Sequence, residues 1–119
     1  MIHHATLETR REDVEDAIAF WALLGFERVE PPGRLAQIAA WVQRAGTQVH
    51  LLYDEDPSTP PQRGHTAVVA DDYDAAVARL ERAGFECRPT TQDWGSPRCF
   101  VVSPGGHLVE VMAFPPPDA

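Results

Sequence analysis

The chain has 119 residues, 44% of them hydrophobic and 24% charged, which fits one compact domain with a real core and excludes a chain disordered by composition. Its formal net charge of -8 excludes sequence-independent nucleic-acid binding, which needs a basic surface to displace counterions. The N-terminus MIHHATLETRREDVED carries charge within its first dozen residues and lacks an apolar signal region, and no stretch reaches the ~20 apolar residues of a membrane span. A soluble cytoplasmic protein with no membrane partner is the expectation. Cys87 and Cys99 are too few for a disulfide scaffold and match no zinc motif, so they read as two half-buried thiols.

In chain order, Ile2 to Thr9 reads as a strand. Arg11 to Leu24 follows with Val14, Ala17, Ile18, Trp21 and Leu24 at helical spacing, acidic Glu12 and Asp13 in the first turn, and Gly25 where a C-terminal cap belongs. Phe26 to Glu30 alternates apolar and charged residues as a half-buried strand does. After the turn Pro31-Pro32-Gly33, strands are expected over Leu35 to Gln43 and over Gln48 to Tyr53. The segment Asp54 to Gly64, rich in proline and polar groups, reads as an exposed connector.

The pattern then restarts. His65 to Ala70 reads as a strand and Asp72 to Ala83 as a helix with Ala75, Val77, Leu80 and Ala83 as its apolar stripe. Gly84-Phe85-Glu86 repeats Gly25-Phe26-Glu27. Cys87 to Thr90, Pro97 to Ser103 and His107 to Ala113 supply three more strands, the last two joined at Pro104-Gly105-Gly106; the tail 114–119 is proline-rich. The chain is one βαβββ unit written twice, with module one at 1–53, the connector at 54–64 and module two at 65–113. One helix per unit covers one sheet face, so pairing the units leaves a cleft for a small-molecule substrate or ligand.

Ligand-type side chains fall on equivalent positions of this repeat. His4 and His65 stand in the first strand of each unit, His50 and Glu110 in the last. His4 and His50 are 46 positions apart, His65 and Glu110 45. Strand alternation turns all four toward the cleft, opposite Ala5, Leu7, Val68, Ala70, Val109 and Val111. It turns His3 and His107 away. Neutral imidazoles and a carboxylate suit Fe(II), Mn(II), Co(II), Ni(II) or Zn(II), and a carboxylate in an apolar cleft needs a cationic partner. His4, His65 and Glu110 also make the two-His-one-carboxylate composition of a non-haem iron site. Trp41, Trp94, Phe100 and Met112 are expected to wall the substrate, and Arg98 offers a planar fork to a carboxylate, against the plainer reading of a surface arginine.

The stretches His4-Ala5-Thr6-Leu7, Ala19-Phe20-Trp21 through Leu24-Gly25-Phe26, Gly64-His65 and Ser103-Pro104-Gly105-Gly106-His107-Leu108-Val109-Glu110 resemble the vicinal-oxygen-chelate (glyoxalase/bleomycin-resistance/dioxygenase) superfamily, over essentially the whole chain. The resemblance implies an α+β fold in which two βαβββ modules pair into a half-open, barrel-like mixed sheet around a divalent metal. It implies that His4, His50, His65 and Glu110 match the metal-ligand positions, that the metal stabilises an enediolate or similar oxyanion, and that the protein is a homodimer. The position of His50 is often Glu or Gln in the family's isomerases, so His50 either ligates, acts as a base or contacts substrate. Glu110 and His50 are the candidate catalytic groups. Two functions follow: a metal-dependent lyase, isomerase or dioxygenase, or a metal-free protein that sequesters an antibiotic or other natural product.

Overall fold

A computed structural model describes all 119 residues, which divide into two compact units, Met1–Thr59 and Pro60–Ala119. The first unit runs β1 (His4–Thr9), α1 (Arg11–Leu23), β2 (Glu27–Val29), a 3-10 helix (Gly33–Gln37), β3 (Ala39–Arg44) and β4 (Thr47–Tyr53). The second runs β5 (Thr66–Val69), α2 (Tyr73–Arg82), β6 (Arg88–Pro89), β7 (Arg98–Val102) and β8 (Leu108–Met112). Each unit forms a four-stranded sheet, ordered β1-β4-β3-β2 and β5-β8-β7-β6. In both, the first strand pairs parallel with the last, and the other pairings are antiparallel. The fold is therefore α+β, and the βαβββ repeat read from the sequence is present in each unit.

The repeat extends to the helix ends. Phe26 N–H donates to Trp21 O and Gly25 N–H to Ala22 O, while Phe85 N–H donates to Leu80 O and Gly84 N–H to Glu81 O. These are paired Schellman closures. They require a left-handed residue, and Gly25 and Gly84 supply φ values of 88° and 94° without a Cβ penalty. In the first unit the ring of Phe26 then packs on Trp21, centroids 5.2 Å apart. α1 lies against β2, β3 and β4, burying Val14, Ala17, Phe20 and Trp21 with Val42, Val49 and Leu51.

Two expectations need correction. The strand foreseen over Leu35 to Gln43 begins only at Ala39. Pro31-Pro32 holds the chain extended, the Pro32 carbonyl accepts the Leu35 N–H at 3.2 Å, and Gly33–Gln37 closes as a 3-10 turn that leaves Leu35 and Ile38 exposed. In α2 the buried face is Ala76 and Leu80, and Ala83 is an exposed cap. Asp72 stands before the helix as its N-cap and accepts the Ala75 N–H at 3.1 Å.

Cys99 is buried, and Cys87 is half-buried. Burial, then the neighbouring Cys99, pushes the Cys87 thiol up to about 12, which makes it a poor nucleophile. No helix is long and apolar enough to cross a membrane. Because the Asp72 cap satisfies an otherwise unpaired helix N–H, Asp72→Ala is expected to cost about 1 kcal/mol of stability in urea unfolding, and Asp72→Asn much less.

Candidate functional site

In the first unit, strand pairing assembles a ladder of rings. His50 in β4 is directly opposite Trp41 in β3 and Thr6 in β1. His4, two residues before Thr6, lies on the same face. The His50 ring is stacked between His4, with centroids 4.0 Å apart, and Trp41, with centroids 3.9 Å apart and planes within 4°. Gln48, also on this face, donates to Gln43 Oε1 at 2.8 Å and places its own Oε1 2.7 Å from His50 Nε2. That oxygen only accepts, so Nε2 carries the His50 ring proton and Nδ1 keeps the lone pair.

Burial first, then the neighbouring His4 and His3, lowers the pKa of His50 below the ordinary 6.5. His50 is thus held neutral, with one basic nitrogen. His3 lies beyond the strand and does not follow its alternation. Contrary to the expectation that it turns away, its Nδ1 is 3.0 Å from that of His4. Beside the ladder opens a pocket of ≈ 380 Å³, walled by Leu35, Ile38, Trp41 and Leu52 and edged by His3 and His4. The 3-10 turn that interrupts the expected strand supplies Leu35 and Ile38, so their place here was not visible in the alternation pattern. Gln48 was: it stands two residues before His50 on one strand face.

The second unit repeats the arrangement with a carboxylate. Glu110 in β8 is opposite Phe100 in β7 and Ala67 in β5, and His65 stands two residues before Ala67. His65 Nδ1 lies 2.8 Å from the Arg63 carbonyl, which only accepts, so Nδ1 carries the proton. His65 Nε2 lies 3.5 Å from Glu110 Oε1. With His65 neutral, these two atoms stand at about the separation of two ligands on one tetrahedral cation, ~3.4 Å for bonds of ~2.1 Å. This donor pair fits a divalent cation. The edge of Phe100 closes on His65, centroids 5.0 Å apart.

Arg98 is not a surface arginine. Its side chain is 13% exposed and its Nη1 donates to Glu110 Oε1 at 3.1 Å. Nη2 reaches Asp93 at 3.0 Å, Nε donates to the Thr91 carbonyl at 2.8 Å, and the guanidinium lies 4.9 Å from the Trp94 ring. Trp94 is fixed in turn by donation to the Phe114 carbonyl at 2.9 Å. Met112 is buried opposite Arg98 in the register. Of the residues expected to touch substrate, Trp41 and Phe100 lie directly across from His50 and Glu110, whereas Arg98 and Met112 pair two register positions further along and Trp94 lies against Arg98.

The four expected ligands therefore fall as two pairs, His4 with His50 and His65 with Glu110. Within neither unit do three His, Cys, Asp or Glu side chains gather as a ready metal cluster.

The sequence profile of the Glyoxalase/Bleomycin resistance protein/Dioxygenase superfamily matches residues 1–111. No curated protein sequence matches at a significant level. Among solved structures, a glyoxalase family protein from Bacillus anthracis shares 23% identity over 94% of this chain and 93% of its own, with a TM-score of 0.83. Oxidase ChaP-H2 shares 20% over 98% and 94%, TM-score 0.78. Lactoylglutathione lyase from Agrobacterium tumefaciens shares 22% over 94% and 92%, TM-score 0.69. At these identities the likeness is one of fold.

The lowered pKa of His50 has a stability consequence. Above pH 6.5 the ring is neutral in both folded and unfolded chains, and as pH falls below 6.5 the unfolded chain takes up the proton first. Stability measured in chelator is expected to fall with pH across this range, and less steeply in His50→Gln. Equal slopes for the two proteins would show that the ring is not held neutral.

Proposed function

The chain belongs to the Glyoxalase/Bleomycin resistance protein/Dioxygenase superfamily, and on that premise we propose that it is a divalent-cation enzyme acting on a small oxygenated substrate. On this reading His65 and Glu110 supply donors to the cation, and His50 is the candidate proton-transfer group. The observation that carries this reading is the pair His65 Nε2 and Glu110 Oε1 at 3.5 Å. When bound, the cation supplies Lewis-acid stabilisation of an oxyanion on the substrate.

The chain's own residues supply the rest. The Arg63 carbonyl fixes the His65 tautomer and so leaves its lone pair on Nε2, the orienting role that outer partners play for metal-bound histidines. His50 differs from His65 because the rings of His4 and Trp41 cover both its faces, while Gln48 occupies its Nε2. Its remaining nitrogen, Nδ1, is the basic atom of a ring kept neutral, which suits a general base better than a ligand. Proton transfer on an oxygenated carbon skeleton, of the lyase or isomerase type, is the chemistry that such a base favours.

A second reading rests on the pocket beside the His4–His50–Trp41 ladder, whose walls carry no acidic, lysine or arginine side chain. A metal-free binder of a flat apolar natural product would use that surface, and it would protect against a drug without turning it over.

Metal content of the untagged protein separates the two. The enzyme reading predicts near-stoichiometric cation in the wild type, its loss in His65→Ala and Glu110→Ala, and its retention in His50→Gln. No retained cation, and no uptake on titration with Fe, Mn, Co, Ni or Zn, would remove the enzyme reading. Loss of cation in His50→Gln would make His50 a ligand instead of a base.

A further inference from the structure

At one register position the difference between the two units tracks charge. Trp41 opposite His50 corresponds to Phe100 opposite Glu110. Two residues further along the last strand, Leu52 pairs with Ala39 in the first unit, while Met112 pairs with Arg98 in the second. The unit whose last strand carries a neutral imidazole has a methyl group at this position. The unit whose last strand carries a buried carboxylate has a guanidinium.

We infer that Arg98 is the internal counter-cation of Glu110 and competes with a divalent cation for the same oxygen. This rests on the reading of Glu110 as a cation donor. Glu110 is 5% exposed, and a carboxylate at that depth is costly without a positive partner. Arg98 Nη1 meets that need at Oε1, the same atom that lies 3.5 Å from His65 Nε2. A cation seated between His65 and Glu110 would stand beside the guanidinium, and two positive charges on one carboxylate oxygen repel.

Arg98 has a place to withdraw to. Asp93 is 68% exposed and already bonded to Nη2, and the face of Trp94 shelters the guanidinium. Arg98 is thus a positioning residue. It holds the donor oxygen in place while no cation is bound, and it sets how much cation is needed to displace it.

The test is cation binding to the full chain, with Mn2+ and Zn2+ each titrated alone after chelator treatment, in wild type, Arg98→Met and Arg98→Gln. Arg98→Gln keeps a hydrogen-bond donor and removes the charge, so it serves if Arg98→Met does not fold. Removing the competing charge is expected to tighten the dissociation constant by about tenfold or more, the scale on which one adjacent charge shifts a carboxylate equilibrium. In chelator both variants are expected to melt below wild type, and saturating cation is expected to raise their melting temperature by more than it raises that of wild type.

Cation uptake by the variants but not by wild type would support the inference and overturn the proposed function, since Arg98 would then have replaced the cation outright. Affinity in the variants equal to or weaker than in wild type would overturn the inference while leaving the proposed function in place. Uptake by none of the three proteins would overturn both.

Discussion

The parallel pairing of the first and last strand in each unit is the constraint on which the site depends. In β1–β4 it sets Thr6 beside His50, and in β5–β8 it sets Ala67 beside Glu110. Two positions earlier, His4 on β1 shares the face of Thr6, and His65, just before β5, lies within reach of Glu110. A one-residue slip in either register would turn the whole set toward the helix. The apolar residues of the other face prevent that slip, because Val49, Leu51, Val109 and Val111 are all buried. Core packing and site geometry are thus one specification: the alternation that fills the helix side aims the polar residues away from it.

The carboxylate is the site's electrostatic problem, and the histidines are its permissive part. A neutral imidazole survives burial with one hydrogen bond, as His50 does with Gln48. A carboxylate at the depth of Glu110 requires positive charge. The second unit therefore carries a bracing layer that the first lacks: Arg98, anchored by Asp93 and Thr91 and covered by Trp94. The positive partner that a buried Glu110 needs is present within the chain, as Arg98.

What could be read from sequence, and what could not, follows from the range of the interactions. The βαβββ repeat was legible because helix periodicity, glycine caps and strand alternation are local signals, and they recur in Gly25-Phe26 and Gly84-Phe85. The quasi-equivalence of His4 with His65 and of His50 with Glu110 followed from the repeat. Features set by contact across strands or by loop geometry were not legible. The 3-10 turn at Gly33–Gln37 overrode an apolar run that reads as strand. His3 escaped the alternation rule because it precedes the strand, and the role of Arg98 depends on a register, Arg98 with Met112, that no local pattern encodes.

The proposal turns on His65 acting with Glu110 as a cation donor while His50 stays free to carry a proton. X-ray absorption at the metal edge of the reconstituted protein counts bound imidazoles by their multiple-scattering signal. Imidazole and oxygen in the shell, unchanged in His50→Gln and with imidazole reduced in His65→Ala, is the predicted result. An imidazole lost in His50→Gln would contradict the assignment of His50 as the base, and a shell without imidazole would contradict the site itself.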